Sequence, residues 1–307
     1  MSTPVASLPS PSSPPASTTA RPGLKRIAVL GAGAIGTAFA YQLAQAGHAV
    51  TVVARGARLE QLRKDDGIVL VDGRRATVSL APGLPPAEDF DLVLVTVLSP
   101  QVPAVLPGLA ASAARRVMFM FNTFEPIAPL REAVGAHRFT FGFPGGVFSL
   151  LKEGRIEHQV RAGTTVIAAE DAALFSAAGI PTVTTPDMHA WLRSHAAFVV
   201  GMMAVGCRSV ATGRGATWVE ARTTARAIRQ ACDLVRGLGH PILPSGIRTA
   251  SALPEALWAL VLWLGSRTKV LRDLGALGPQ ESRMLIDQMV TVAPPTARLD
   301  ALRAIRP

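Results

Sequence analysis

Ile27-Ala28-Val29-Leu30-Gly31-Ala32-Gly33-Ala34-Ile35-Gly36 decides the fold of this chain. Four consecutive apolar residues read as a strand buried on both faces. The glycines that follow fit G-x-G-x-x-G. Gly31 permits a tight turn, Gly33 lets backbone approach a pyrophosphate, and Gly36 lets the next helix pack closely on the strand. The helix N-terminus then offers free N–H groups and a partial positive charge to phosphates. Thr37 to Ala46 has helical composition, Gly47 ends it, and Ala49 to Ala54 reads as a second strand. A glycine turn made only for packing is the alternative. The strand before it and the helix after it favour a dinucleotide site formed by Gly31, Ala32, Gly33, Ala34, Ile35 and Gly36.

The second strand ends in Arg55, 19 residues beyond Gly36. A site selective for NAD places an acidic residue near that point, to bind the adenosine ribose hydroxyls. Here Arg55, with Arg58 three residues on, suits a 2′-phosphate, and the expected cofactor is NADP(H). Solvated surface charges are the competing reading of both arginines.

Around this core the composition sets bounds. The 307 residues are 49% hydrophobic, enough for two domains or one large one. The formal net charge of +10 raises a nucleic-acid hypothesis. The excess is arginine spread along the chain, and aromatic residues are only 5%, so neither a basic block nor a stacking platform is present. No nucleic-acid partner is expected; a basic field instead suits a phosphorylated cofactor and a small anionic substrate. Cys207 and Cys232 lie in apolar helical contexts without metal-ligand spacing and read as buried free thiols in a reducing cytoplasm, with no metal site. The apolar runs Ala196 to Cys207 and Ala256 to Gly265 are shorter than the roughly 20 residues a bilayer requires, so they read as core helices and no membrane association is expected. Residues 1–24, rich in Ser, Pro, Thr and Ala at their start, read as a disordered tail.

Further along, Ala57 to Asp66 reads as a polar helix, and Gly67 to Val71 with Ala76 to Leu80 as a hairpin around Asp72-Gly73. Phe90 to Val97, Val117 to Phe121 and Arg138 to Phe143 are expected strands, alternating with helices from Gln101 to Ala111 and from Glu125-Pro126 onward. Such alternation gives a parallel doubly wound sheet with ligands beyond the carboxyl ends of its strands, where Gly31, Arg55, Leu98 and Asn122 fall. Arg155 to Val160 and Thr164 to Ala168 look like antiparallel strands around Arg161-Ala162-Gly163, followed by a helix from Asp171 to Ala178 and a strand Thr182 to Thr184. Beyond Asp187 the expectation is helix: 189–212, 217–238, 254–274 and 279–292. The reading is therefore an α/β Rossmann-type N-terminal domain over 25–186 and an all-α C-terminal domain over 187–307, with a cleft between them. A homodimer through the apolar helical domain is open.

The order of these pieces resembles the ketopantoate reductase family over roughly Lys25 to Arg303. The resemblance rests on Gly31 to Gly36, Val52 to Arg58, Asp91 to Thr96, Phe121-Asn122, Gly154-Arg155-Ile156-Glu157-His158 and Trp191-Leu192-Arg193. It implies a Rossmann domain, a helical substrate domain and NADPH-dependent reduction of a 2-oxo acid. It also implies that Asn122 touches the nicotinamide side or the substrate, that Glu281 lies near the nicotinamide ribose or substrate, and that Thr96 and Leu98 line the cofactor groove. The chain departs from the family at the lysine expected near Leu98, at Thr123 where the family has Gly after Asn, and at the proton-donating lysine, whose place falls on Arg193. The cofactor half matches and the substrate half does not.

Reduction of a carbonyl or imine by hydride needs a proton donor. Arg193 stays protonated at working pH, so it suits carboxylate binding or oxyanion stabilisation instead. His195 is the nearest residue able to donate near neutral pH. Trp191 and His195 share one helical face and His189 and Arg193 another, so Arg193 and His195 point in different directions. A core histidine with one satisfied hydrogen bond is the alternative for His195, and a helix N-terminal role is the alternative for Asn122. A solvated helix charge is the alternative for Glu281.

Overall fold

The structure, a computed structural model, describes residues 23–276 and 278–307. All but the last two residues of the expected tail over 1–24 lie outside the described residues.

The order of elements is β1 (Arg26–Leu30), α1 (Ala34–Gln45), β2 (Ala49–Val53), α2 (Gly56–Lys64), β3 (Ile68–Val69), β4 (Arg75–Ala76), β5 (Ser79–Ala81) and β6 (Leu92–Val95). A 3-10 turn at Ser99–Gln101 leads into α3 (Val102–Ala111), followed by β7 (Val117–Met120), α4 (Ala128–Val134) and β8 (Phe139–Pro144). Then come β9 (Val147–Lys152), β10 (Arg155–Val160), β11 (Thr164–Val166), α5 (Ala169–Ala177) and β12 (Thr182–Thr184). The rest is helical: α6 (Met188–Thr212), α7 (Trp218–Gly237), α8 (Ser245–Ser251), α9 (Glu255–Gly265), α10 (Lys269–Ala276), α11 (Gln280–Val292) and α12 (Asp300–Ala304).

Eight strands form one sheet in the order β12-β11-β8-β7-β6-β1-β2-β5. Pairing is parallel from β5 to β8, and β11 runs antiparallel to β8. The sheet is apolar on both faces, as a strand period of two demands. Ile27 and Val29 of β1 join a core with α1, α5 and the β9–β10 hairpin, whereas Ala28 and Leu30 join another with α3 and the start of α6. A third core fills the helical part, and Phe124, from the loop after β7, is fully buried in it. The architecture is a Rossmann-like, mostly parallel sheet followed by a largely helical region.

The structure corrects several sequence expectations. Ala76 to Leu80 is not one strand: β4 closes the short hairpin with β3, and β5 joins the main sheet beside β2. β10 pairs with β9, not with β11, which adds to the main sheet instead. The helix after β7 starts at Ala128 rather than at Glu125. The segment 254–274 breaks into α9 and α10. Ser266 Oγ donates to Trp263 O at 2.7 Å and Thr268 Oγ1 to Gly265 O at 2.7 Å, side-chain bonds that compete with helix continuation. α8 and α12 were not expected. Cys232 is buried, its thiol pushed up to about 11 by desolvation, but Cys207 is only half-buried; both are free. α6, at 25 residues, is long and apolar enough to cross a bilayer by length and composition, unlike the shorter runs read from sequence. Half of its apolar window is buried within the protein, against α7, α10 and β8, which is the packing of a core helix.

Candidate active site

Each expected cofactor residue has a definite place. Gly31 sits at φ +111°, a conformation that favours glycine, and a Cβ there would meet Val97 N at 3.0 Å. A Cβ on Gly36 would lie 2.0 Å from Gly31 O and 2.3 Å from Thr96 Oγ1, so α1 rests directly on the turn. Gly33, the residue before α1, is exposed, and a Cβ on it would meet nothing within 4 Å. The open side of the turn is therefore where a dinucleotide has room. The bare amides at the start of α1, among Ala34 and Ile35, carry no acidic side chain in the first turn to compete with a phosphate. Ala32, by contrast, is buried, and its carbonyl is taken up inside the protein.

Thr96 buttresses this turn: its hydroxyl donates to Gly31 O at 2.8 Å. Leu98 is exposed at the mouth of β6, where its amide donates to Gln101 Oε1. Arg55, between β2 and α2, is exposed, and its side chain enters no hydrogen bond or ion pair among the described residues. Arg58 is different. It is half-buried and donates to Ala32 O at 3.0 Å, Gly154 O at 2.6 Å and Thr37 Oγ1 at 3.2 Å. The two arginines expected to act together are thus employed differently.

Across the sheet edge, Asn122 closes β7 and is buried. Its Nδ2 donates to Glu281 Oε1 at 3.0 Å, joining residues 159 positions apart. The Oδ1 of Asn122 is buried without a hydrogen-bond partner among the described residues. Desolvation raises the Glu281 pKa above the usual range, against the bond from Asn122, which lowers it. The rest of the loop is fastened too: Gln288 Oε1 accepts from Phe124 N at 2.8 Å, and Arg193 Nε donates to Phe124 O at 3.1 Å.

Arg193 and His195 lie on α6 above neighbouring strands, Arg193 over the loop after β7 and His195 against Phe143 of β8, 4.2 Å between rings. As the helical spacing required, they point apart. His195 stacks on Trp191 at 5.2 Å. Burial pushes its imidazole down to about 4, so it is uncharged at neutral pH. A neutral ring retains one N–H to donate. Arg193 is 5% exposed, lies 5.2 Å from the Phe124 ring centroid and has no carboxylate within ion-pair distance among the described residues. Desolvation lowers its pKa. A buried guanidinium without a counter-charge is costly, and the Phe124 carbonyl and ring are the groups that face it here.

Sequence reasoning missed Phe124, Phe143 and Gln288, and also the His189–His240 pair, whose rings meet at 4.7 Å beside Arg193. His189 is driven down to about 4 by desolvation, then by Arg193 and His240. Only His189 carried a sequence signal, its helical spacing with Arg193. A recess of about 420 Å³ is lined by Ser99, Pro100, Glu125, Met284 and Gln288 among others. It joins the 3-10 turn after β6 to α11.

Turn, sheet and overlying helices define a Rossmann-like protein with a helical partner region. Residues 27–171 match the family described as ketopantoate reductase PanE/ApbA, which supports the resemblance read from the sequence. It is similar in fold to a PanE/ApbA family ketopantoate reductase from Ralstonia eutropha JMP134, at 19% identity and TM-score 0.68, covering 91% of this chain and 95% of that one. A dimeric ketopantoate reductase from Staphylococcus aureus matches at 14% identity and TM-score 0.62, over 91% and 95% of the two chains. A D-mandelate dehydrogenase in complex with NADH and anilino(oxo)acetate matches at 14% identity and TM-score 0.59, over 86% and 97%. No curated protein matches the chain in sequence.

Proposed function

We propose that this chain is an NADP(H)-dependent oxidoreductase that reduces a small 2-oxo acid, or a related carbonyl or imine, in the cytoplasm. Residues 25–186 then serve as the nucleotide-binding domain and 187–307 as the helical substrate domain. The observation that carries the reading is the pairing of an open dinucleotide turn with a buried, uncompensated cation: Gly33 leaves space for a pyrophosphate, and Arg193 awaits an anion. The exposed Arg55 supports a 2′-phosphate on the adenosine.

A reduced nicotinamide supplies hydride when bound. The chain's residues do the rest. Arg193 binds the substrate carboxylate or the developing oxyanion with the N–H groups not used on Phe124. Asn122 presents its free Oδ1 to the nicotinamide or the substrate, held in place by Glu281. His195, with Phe143 and Trp191, walls the site and offers a neutral N–H.

Titration of the purified protein with NADPH and NADH, followed by NADPH consumption over a panel of 2-oxo acids, tests the reading. Tight NADPH binding with turnover of at least one acid is expected; no binding of either nucleotide overturns it. A second reading, an NADP-binding regulatory protein without turnover, is favoured by one observation: the His195 imidazole, pushed down to about 4 by burial, is uncharged near neutral pH. That reading predicts NADPH binding with no consumption.

A second copy of the chain is the proposed partner. Leu257, Leu260, Val261 and Leu264 form an exposed apolar stripe on α9 at helical spacing, of the kind that marks an interface.

A further inference from the structure

Arg58 holds three segments at once. From the first turns of α2 it reaches Ala32 O in the dinucleotide turn, Thr37 Oγ1 in α1 and Gly154 O at the tip of the β9–β10 hairpin. Thr37 Oγ1 itself donates to Ala32 O at 3.2 Å, so the Ala32 carbonyl receives two donors from below the turn. The hairpin tip is fitted closely there: Gly154 has φ +80°, and a Cβ on it would lie 2.7 Å from Gln61 Cγ of α2. The guanidinium fork is spent on carbonyls and a hydroxyl of the protein, whereas Arg55, three residues earlier, has no hydrogen-bond or ion-pair partner among the described residues.

We infer that Arg58 is a positioning residue that fixes the dinucleotide turn to the β9–β10 hairpin, and that Arg55 alone distinguishes the phosphorylated from the non-phosphorylated nucleotide. The inference rests on the cofactor reading above. Arg58 aims the Ala32 carbonyl inward and thereby keeps the turn's amides facing out. Both nucleotides share the pyrophosphate, so both depend on Arg58. Only one carries the 2′-phosphate, so only that one depends on Arg55. A lysine cannot replace the fork, because a single ammonium does not span three acceptors in these directions.

The test is equilibrium binding of NADPH and NADH to the full chain, by calorimetry, for wild type, Arg58→Ala, Arg58→Lys, Arg55→Ala and Thr37→Val. Arg58→Ala should weaken both nucleotides by the same factor, on the order of tenfold for loss of charge-assisted hydrogen bonds. The ratio of the two dissociation constants should stay at its wild-type value, with Arg58→Lys recovering little. Arg55→Ala should collapse the ratio toward one. Thr37→Val, which keeps Arg58 but removes one acceptor, should weaken both nucleotides, less than additively with Arg58→Ala; it carries the test if Arg58→Ala fails to fold. Hydrogen exchange across residues 147–160 should quicken in Arg58→Ala and lose its slowing by NADPH. A ratio that collapses in Arg58→Ala overturns the inference, because Arg58 then reads the phosphate. So do unchanged constants for both nucleotides in the folded variant, because a merely stabilising residue lowers Tm and leaves binding intact. Failure of the wild-type protein to bind either nucleotide refutes the cofactor reading instead, and is a separate result.

Discussion

At the scale of single residues, two buried ionisable groups carry the predictions. Glu281 is desolvated, and its pKa is raised above its unfolded value. Its ionised form is thus disfavoured by folding: the penalty is absent below the unfolded pKa, grows as pH rises through the folded pKa and is complete above it. Glu281→Gln keeps the acceptor for Asn122 and removes the penalty. Its Tm should exceed wild type at neutral and alkaline pH, with the gap closing below about pH 4, near the unperturbed carboxyl value. A gap that widens on acidification would contradict the desolvated carboxyl. Arg193 has the opposite charge and no acid beside it. Arg193→Met should raise the KM for a 2-oxo acid about 10- to 100-fold, the cost of losing a charge-assisted pair. The Kd for NADPH should be unmoved, and an equal loss in both would place Arg193 at the nucleotide instead. Neither environment was legible in sequence. Arg193 was marked by its distance from Trp191, but its burial depends on Phe124, which arrives from a loop of the sheet region.

At the scale of elements, β1, its turn and α1 were legible because every contact that shapes them is local. Gly31 and Gly36 meet each other within six residues, and the strand needs only its own apolar run. Gly33 and Gly36 should therefore fail in different ways when substituted. Gly36→Ala forces a methyl into Gly31 O and Thr96 Oγ1 and should cost about 1–3 kcal/mol or more in stability, read by denaturant unfolding. Gly33→Ala meets nothing, so its stability should match wild type within about 0.5 kcal/mol while NADPH binding weakens. A stability loss in Gly33→Ala would mean that the open side of the turn is not open. The β9–β10 hairpin was misread because pairing is not local information. Arg155 to Val160 lies between two candidate partners, and the tight turn at Glu153-Gly154 selects β9. Thr164 to Val166 is claimed by the free edge of β8, an edge that sequence spacing does not reveal. Likewise the bond from Asn122 to Glu281 joins two elements that only the folded chain brings together; family resemblance marked both residues, and nothing in their spacing did.

At the scale of the whole molecule, the α9 stripe predicts association. Sedimentation at micromolar concentration should show a dimer, and Leu260→Glu should shift it to monomer with the fold retained. A wild-type protein that stays monomeric at every concentration would leave the stripe without that role. The loop after β7 has a mechanical meaning as well. Phe124 is a rivet: it leaves the sheet, enters the helical core completely and is gripped there by Gln288 and Arg193. Swinging the helices away from the sheet must drag a phenyl ring into water, a penalty of about 1.5–3 kcal/mol before any bond is counted. The resting protein is accordingly a shut clasp more than a pair of jaws.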